Sequence, residues 1–411
     1  MSQRLSPLSL SCNSLRVQCR RSVLPPFAST TPIAYYHDYI RFQTSGGVSR
    51  IPLLNPKLIG LVNSRGNRAY QQDFYGFATL LLEPHELQYT LRTKLDYEWD
   101  PSGLPDFIAR QVHFIGLYDG HGGSTASQFC RQEFHALFEN AHPNHIPELY
   151  EWIKEIGGYF SKRLRPRPFL PWLQDPNSKA VFDLEARATT AFFEVDRSLS
   201  GEKEARVSGA TASIALLQTL DKPAPPFFAA ENLALTVAHV GDTTATICST
   251  DGTVTPMTTK HHAETPIEST RLRRVMGSAL VTDSFGEARW MGVLENTRSL
   301  GDFKYKPFGV TPEPEVRAKL LKGSECSHIV LTSDGISSLV SHEEVNDLVR
   351  FAPTPAEGAK RVLSFAESIG SEDNATVIVI PLLGWGKSQG RDTTKELRKY
   401  KQNQAVGRRR M

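Results

Sequence analysis

The most constraining feature of this sequence is a short apolar strand that ends in an aspartate followed by a glycine. It occurs in residues 114–123, where Asp119 is the acid, and again in residues 328–335, where Asp334 is the acid. A third acid, Asp373, stands shortly before another apolar stretch. Because the backbone holds a carboxylate rigidly at a strand end, a fold that brings these ends together builds a cluster of fixed oxygen ligands.

The residues after Asp119 suit the same chemistry. Gly120 has no side chain, so its carbonyl can approach a metal or its water closely. His121 can donate a proton to a departing oxygen at neutral pH. Two further acids are candidates: Asp242, which follows an apolar strand and Gly241, and Asp73, which ends the segment 68–73. Taken alone, each aspartate is more often a turn former or a helix cap than a ligand.

Five acids beside strand ends need a joint explanation. Clustered carboxylates repel each other unless cations neutralise them, and Mg²⁺ and Mn²⁺ prefer such oxygen ligands. Two-metal sites of this kind activate water and hold phosphoryl oxygens for an in-line displacement. The acids therefore predict a site for two ions of Mg²⁺ or Mn²⁺ and a phosphoester substrate.

Strand-like and helix-like segments alternate in no strict order, which favours a mixed α+β fold. We predict three regions: a leader and linker over residues 1–44, one catalytic domain over residues 45–385, and a basic tail over residues 386–411. We expect that tail to be solvated. The predicted helices are 124–140, 146–163, 267–276, 341–351 and 355–368, and the predicted strands are 114–117, 233–240, 329–331 and 376–380. A proline-rich loop over residues 219–229 should join two strands.

Composition excludes several classes of protein. Hydrophobic residues make up 40% of the chain and charged residues 22%, which is enough to build a folded core. The net charge of +3 comes mainly from the two ends, so we expect no nucleic-acid binding by the body of the protein. The 5 cysteines contain no CxxC pair, and none lies in a phosphate-binding loop, which disfavours zinc sites and cysteine nucleophiles. No apolar run is long enough to span a bilayer.

The N-terminal residues 1–37 carry arginines and many serines but no acid, a composition typical of a mitochondrial transit peptide. We therefore expect a mitochondrial protein, with the matrix as its compartment. The alternative is a basic tail without a targeting role and a cytoplasmic location.

The motifs taken in order resemble the metal-dependent type-2C (PPM) serine/threonine protein phosphatases, and with the leader they are similar to fungal mitochondrial members. The resemblance covers nearly everything between the two tails. It implies a four-layer αββα sandwich with two mainly antiparallel sheets. The matching blocks are Arg68 to Asp73, Asp119 to Gly123, Ser208 to Ala212, Val240 to Asp242, Pro266 to Leu272, Arg298 to Asp302, Thr332 to Gly335, and Asp373 with Asn374.

The resemblance also implies a role for each acid. Asp119 would bridge two metals, Gly120 would offer its carbonyl, and Asp334 and Asp373 would hold the first metal. Asp73 would act through metal-bound water. A hydroxide bridging the metals would attack phosphorus directly, with no covalent intermediate.

Four further residues acquire expected roles in the same way. Arg68 would bind the substrate phosphate, a task suited to a planar fork of donors. His121 matches the general acid of the family. Asp242 with Asp334 matches a third, weakly bound metal. Asp302 follows the pattern of a structural acid.

The sequence departs from the family pattern at a few positions. Gln72 stands where some members carry glutamate, which would loosen the second metal. Lys260, Glu295 and Asn296 are unusual near the substrate flap, and they affect the expected choice of substrate. We expect a monomer acting on phosphoproteins. The alternatives are an inactive binding module with the same fold and another two-metal hydrolase such as a nuclease, which the weak basic character of the body disfavours.

Overall fold

A computed structural model describes residues 39–157, 181–276, 280–282 and 288–409. The predicted transit peptide lies outside these residues, as does most of the long connection after residue 157. Within the described parts of the chain, no helix is both long and apolar enough to cross a bilayer.

Two antiparallel sheets form the centre of the fold. The larger has six strands and the smaller has five, with orders β13-β7-β6-β5-β4, where β12 also pairs with β6, and β3-β15-β14-β8-β9. Two further two-stranded sheets, β1-β2 and β10-β11, lie apart from them. The strands are β1 (Tyr39–Thr44), β2 (Gly47–Pro52), β3 (Gly60–Ser64), β4 (Phe74–Leu81), β5 (Gln111–His121), β6 (Gly209–Thr219), β7 (Asn232–Val240), β8 (Thr244–Ser249), β9 (Val254–Pro256), β10 (Leu280–Thr282), β11 (Ala288–Trp290), β12 (Leu300–Gly301), β13 (Glu315–Lys322), β14 (Cys326–Thr332) and β15 (Ala375–Pro381).

Helices cover the outer face of each large sheet. Helices α3 and α5 pack on the six-stranded sheet, whereas α8 and α9 pack on the five-stranded sheet. The helices are α1 (Pro84–Leu95), α2 (Asp106–Ala109), α3 (Thr125–Asn140), α4 (Ile146–Ile156), α5 (Leu184–Leu199), α6 (Pro266–Met276), α7 (Asp334–Ser337), α8 (His342–Val349), α9 (Pro355–Ser368) and α10 (Lys395–Arg409).

Strand β5 shows why these layers form. Its side chains alternate between the two faces of the sheet because a strand has a period of two residues. Phe114 and Tyr118 enter the apolar cluster beneath the helices, whereas Ile115 and Leu117 enter the cluster between the two sheets. The result is the predicted αββα sandwich, and the α+β fold class is confirmed.

Most of the predicted elements appear with bounds extended or shortened by a few residues. Helix α9 spans the predicted residues 355–368, with the Thr354 side chain accepting a hydrogen bond from Glu357 at its start. The loop predicted after residue 219 does join β6 to β7. Helix α4 ends at Ile156, earlier than predicted, where Gly157 adopts a positive φ. The predicted continuation of this helix lies outside the described residues.

The C-terminal segment differs from the predicted solvated tail, because residues 395–409 form helix α10. Lys401 lies 2.6 Å from the buried Glu344 carboxylate on α8, and Arg398 lies 2.6 Å from Asp392. Most described side chains of α10 are exposed to solvent, and Lys401 connects the helix to α8. Lys401 is paired with an acid that is distant in sequence, which a local charge pattern does not reveal.

The hairpin β1-β2 crosses the predicted boundary at residue 45. Ile40 is fully buried in the cluster between the sheets, and the Gln43 amide donates to the Ala224 carbonyl at 2.9 Å. The hairpin is thus attached to the sandwich.

Candidate active site

The ends of several strands meet at one edge of the sandwich. Asp119 lies near the end of β5, opposite Thr211 on β6. Asp73 directly precedes β4, and Asp334 opens α7 just after β14. Gly120 has no space for a side chain, because a Cβ there would lie 2.4 Å from Ser127 Oγ. Acids that lie beside strand ends therefore build one site from distant segments.

Three of the predicted acids form a compact cluster. One carboxylate oxygen each from Asp119, Asp242 and Asp334 lies within 4.8 Å of the others. The Asp334 amide also donates a hydrogen bond of 3.2 Å to Asp119 Oδ2. Hard divalent cations such as Mg²⁺ and Mn²⁺ take ligands of this oxygen-only kind, so the donor set fits them.

Burial and mutual repulsion shift the acidity of this cluster. Burial raises the pKa of Asp119 well above its ordinary value, and the charge of Asp334 raises it further. Burial and the charge of Asp242 raise the pKa of Asp334 to about 7. Burial also opposes the ionisation of Asp242, but hydrogen bonds from His262 and Asn296 outweigh it and lower the pKa of that carboxyl. Bound cations would therefore relieve the repulsion among these carboxylates at neutral pH.

Asp73 lies behind the cluster. It is 2% exposed, and its Oδ2 accepts hydrogen bonds from Ser333 Oγ at 2.7 Å and Thr376 Oγ1 at 2.8 Å. Burial raises the pKa of Asp73 to about 6 despite these donors. Since its side chain does not line the cavity described below, it is placed to support the site from within the protein.

Asp373 stands apart from the three-carboxylate cluster and pairs with Arg68. The distance from Arg68 Nη2 to Asp373 Oδ2 is 2.6 Å, and the two side chains are 60% and 38% exposed. The neighbouring Asn374 accepts a hydrogen bond from the Gln72 amide at 2.7 Å and donates to the Tyr70 carbonyl. Asn374 therefore ties the segment of Arg68 to the segment of Asp373.

His121 is held by a buried acid. Its Nε2 lies 2.7 Å from Asp302 Oδ2, which also accepts a hydrogen bond of 2.6 Å from Ser299. Burial lowers the pKa of His121, but the charge and hydrogen bond of Asp302 outweigh that effect, so the net pKa is raised. A Cβ at Gly209 would lie 2.2 Å from Asp302 Oδ2 and 2.5 Å from His121 Nε2. The pair therefore depends on a glycine at that position.

A cavity of about 430 Å³ joins these groups. Asp73 is the one residue of the predicted set that does not line it. Sequence reasoning missed Thr211 and Arg289, which also line the cavity. Thr211 lies in the matching block Ser208 to Ala212 but was assigned no role there, and Arg289 lies outside the matching blocks. The lining residues are Arg68, Gln72, Asp119, Gly120, His121, Gly122, Thr211, Asp242, Arg289, Val293, Leu294, Glu295, Asn296, Asp334, Asp373 and Asn374.

Residues 288–297, here called the flap segment, form one wall of this cavity. A buried ion-pair network anchors the chain directly after the C-terminal end of the flap segment. The Glu268 carboxylate accepts hydrogen bonds from Arg271 at 2.6 Å and from Arg298 at 2.7 Å. A neighbouring cavity of about 500 Å³ includes Lys260 but lacks the carboxylate cluster. The unusual Glu295 thus faces the candidate site, whereas the unusual Lys260 lines the neighbouring cavity.

Residues 100–375 match the sequence model of the family described as Protein phosphatase 2C. The chain belongs to the protein phosphatase 2C family. Asp119, His121, Asp242, Asp334 and Asp373 all lie inside the matched range. The family is metal-dependent, and its enzyme class is protein-serine/threonine phosphatase, which acts on phosphoproteins.

Relatives and solved structures agree with this assignment. Protein phosphatase 2C homolog 4 of Schizosaccharomyces pombe is 28% identical over 376 residues, covering 89% of this chain and 91% of the relative. Protein phosphatase 1K, mitochondrial, of Xenopus laevis is 28% identical over 350 residues, covering 84% and 73%. A serine-threonine phosphatase 2C from Toxoplasma gondii has a similar fold, with a TM-score of 0.50, 15% identity, and 84% and 96% of the two chains covered.

The raised pKa of Asp334 predicts how stability changes with pH. In the folded protein the Asp334 carboxyl keeps its proton up to about pH 7, whereas in the unfolded chain it releases that proton near pH 4. Ionisation of Asp334 therefore lowers the free energy of unfolding. This effect is absent below about pH 4 and complete above about pH 7. In EDTA, the Asp334→Asn variant should melt several degrees above the wild type at pH 8, a gap of roughly 2–4 °C for each kcal/mol.

Thermal melts of both proteins between pH 5 and pH 8 test this prediction. The gap should narrow as the pH falls, and Mg²⁺ should raise the melting temperature of the wild type more than that of the variant. Identical melting temperatures across the range would show that the cluster carries no repulsion.

Proposed function

We propose that this phosphatase hydrolyses phosphoserine and phosphothreonine in the cavity beside Asp119, using two ions of Mg²⁺ or Mn²⁺. The observation that carries the proposal is the convergence of three carboxylates with a guanidinium and an imidazole on one cavity. The carboxylates meet the need for cation ligands, the guanidinium suits a phosphate, and the imidazole suits proton transfer.

Asp119 and Asp334 are the central ligands in this proposal. Asp373 and the Gly120 carbonyl complete the set for two ions, while Asp242 offers an oxygen for a third, weaker one. When bound, the cations supply Lewis-acid chemistry that activates water and neutralises charge on the phosphoryl oxygens. Asp73 orients the site from behind, because its carboxylate is already held by Ser333 and Thr376.

Arg68 is the proposed phosphate-binding residue. Its guanidinium lines the cavity and is 60% exposed, so it can reach a substrate. Its ion pair with Asp373 also holds it near the cluster. A phosphate would compete for this guanidinium with a carboxylate that is itself a proposed metal ligand. Binding of cations by Asp373 would therefore release Arg68 for the phosphate.

His121 is the proposed proton donor to the leaving oxygen of serine or threonine. Its bond to Asp302 involves Nε2, so Nδ1 is the ring atom that would deliver the proton. The raised pKa of His121 favours the protonated form that a general acid requires. This arrangement also weighs against an inactive binding module, since every principal acid and the imidazole are retained.

Phosphate release from a phosphopeptide by the full chain tests the proposal. The Asp119→Asn variant should lose on the order of 100-fold or more in kcat, because it removes one charge that holds the cations. Asp106→Asn serves as the matched control, since Asp106 is an exposed acid on α2 whose side chain is 83% exposed. EDTA should abolish turnover, and Mn²⁺ or Mg²⁺ should restore it. Full activity of Asp119→Asn, or turnover in EDTA, would refute the mechanism.

We further propose that the substrates are mitochondrial phosphoproteins. The support is the arginine- and serine-rich leader together with the similarity to a relative named as mitochondrial. A fluorescent fusion of the full chain should enter mitochondria, whereas a fusion that lacks residues 1–38 should remain outside. A diffuse signal from both fusions would contradict this location.

A further inference from the structure

A short pairing of two segments places a second group of metal-ligating side chains beside the carboxylate cluster. His262 and Asn296 form an isolated antiparallel bridge. Two backbone hydrogen bonds make this bridge, from the Thr297 amide to the His261 carbonyl at 2.9 Å and from the Ala263 amide to the Glu295 carbonyl at 3.4 Å. Residues paired across an antiparallel bridge point to the same side, and both side chains here reach Asp242.

The donor atoms lie at distances that suit one metal ion. His262 Nε2 is 3.3 Å from Asp242 Oδ2 and 3.5 Å from Glu295 Oε1. The nearest oxygens of the two acids complete a group in which all donors lie within 4.8 Å. Metal bonds of roughly 2.0–2.1 Å in a tetrahedron separate neighbouring ligands by about 3.3–3.4 Å. The separations of His262 Nε2 from the two carboxylate oxygens, 3.3 Å and 3.5 Å, are close to that spacing.

A second observation concerns Asn296. Its Oδ1 is buried and has no hydrogen-bond partner among the described residues. The side chain lines the cavity, and its amide group donates to Asp242. A buried oxygen without a donor is costly, and a cation would satisfy it.

We propose that Asp242, His262 and Glu295 bind a divalent transition metal, Mn²⁺ or Zn²⁺, with Asn296 Oδ1 as a neighbouring oxygen donor. The imidazole ligand favours these ions over Mg²⁺, which prefers oxygen. This site differs from the oxygen-only cluster of Asp119, Asp242 and Asp334, although the two share Asp242. It does not depend on the proposed hydrolysis, because neither His262 nor Glu295 has a role there.

The site would link the flap segment to the body of the protein. Glu295 belongs to the flap segment and its side chain is 40% exposed, whereas Asp242 is 5% exposed and sits at the base of the cavity. A metal held by both would fix this wall of the cavity. Transition-metal availability would then control the shape of the substrate entrance.

The competing explanation is a protonated His262 paired with two carboxylates. Electron paramagnetic resonance separates the two. Sub-stoichiometric Mn²⁺ is added to the full chain in a large excess of Mg²⁺, so that diamagnetic Mg²⁺ fills the oxygen-only sites. Pulsed measurements then detect coupling of the Mn²⁺ electron spin to a directly bound ¹⁴N nucleus.

We expect ¹⁴N coupling in the wild type and its loss in His262→Gln, with retention in the control His121→Gln. Glu295→Gln, at a partly exposed position, should weaken Mn²⁺ binding by roughly tenfold or more. Wild-type protein without ¹⁴N coupling, or coupling that persists in folded His262→Gln, would overturn the proposal. If the wild-type protein shows ¹⁴N coupling but does not hydrolyse the phosphopeptide, the result would count against the proposed function alone.

Discussion

Repulsion among carboxylates at one edge of two packed sheets is the constraint on which the rest of the structure depends. Asp119 lies on a strand of the six-stranded sheet, whereas Asp334 follows a strand of the five-stranded sheet. The Asp334 amide donates a hydrogen bond of 3.2 Å to Asp119 Oδ2. The fold keeps them together through the apolar layer between the sheets, where Ile115 and Leu331 pack in the same cluster. Hydrophobic burial thus holds these carboxylates close together, and relief of their repulsion by cations would favour the metal binding proposed above.

The polar groups around the carboxylate cluster hold individual side chains in place through hydrogen bonds and ion pairs. The Asp73 carboxylate accepts hydrogen bonds from two hydroxyl groups, and His121 is paired with Asp302. The Gln72 backbone is fixed by Asn374 and by Ser127, whose Oγ donates to the Gln72 carbonyl at 2.6 Å. Glutamine in place of glutamate therefore leaves the position of this segment intact and changes the charge facing the cavity.

The sequence predicts the group of acids because they lie beside recognisable strand ends, whereas the sandwich follows from the resemblance to the family. It could not predict which acids meet most closely. Asp242 joins the compact cluster, whereas Asp373 pairs with Arg68 instead. It also did not reveal helix α10 or the group around His262, since both depend on contacts between segments far apart in the chain. Pairings of that kind have no local periodicity to detect.

Binding of divalent cations at Asp119 can be tested with crystals soaked in Mn²⁺ and measured at the manganese absorption edge. At least two anomalous peaks are expected, bounded by Asp119, Asp334 and Asp373. An active protein whose Mn²⁺ peaks lie elsewhere, with none beside Asp119, would contradict it.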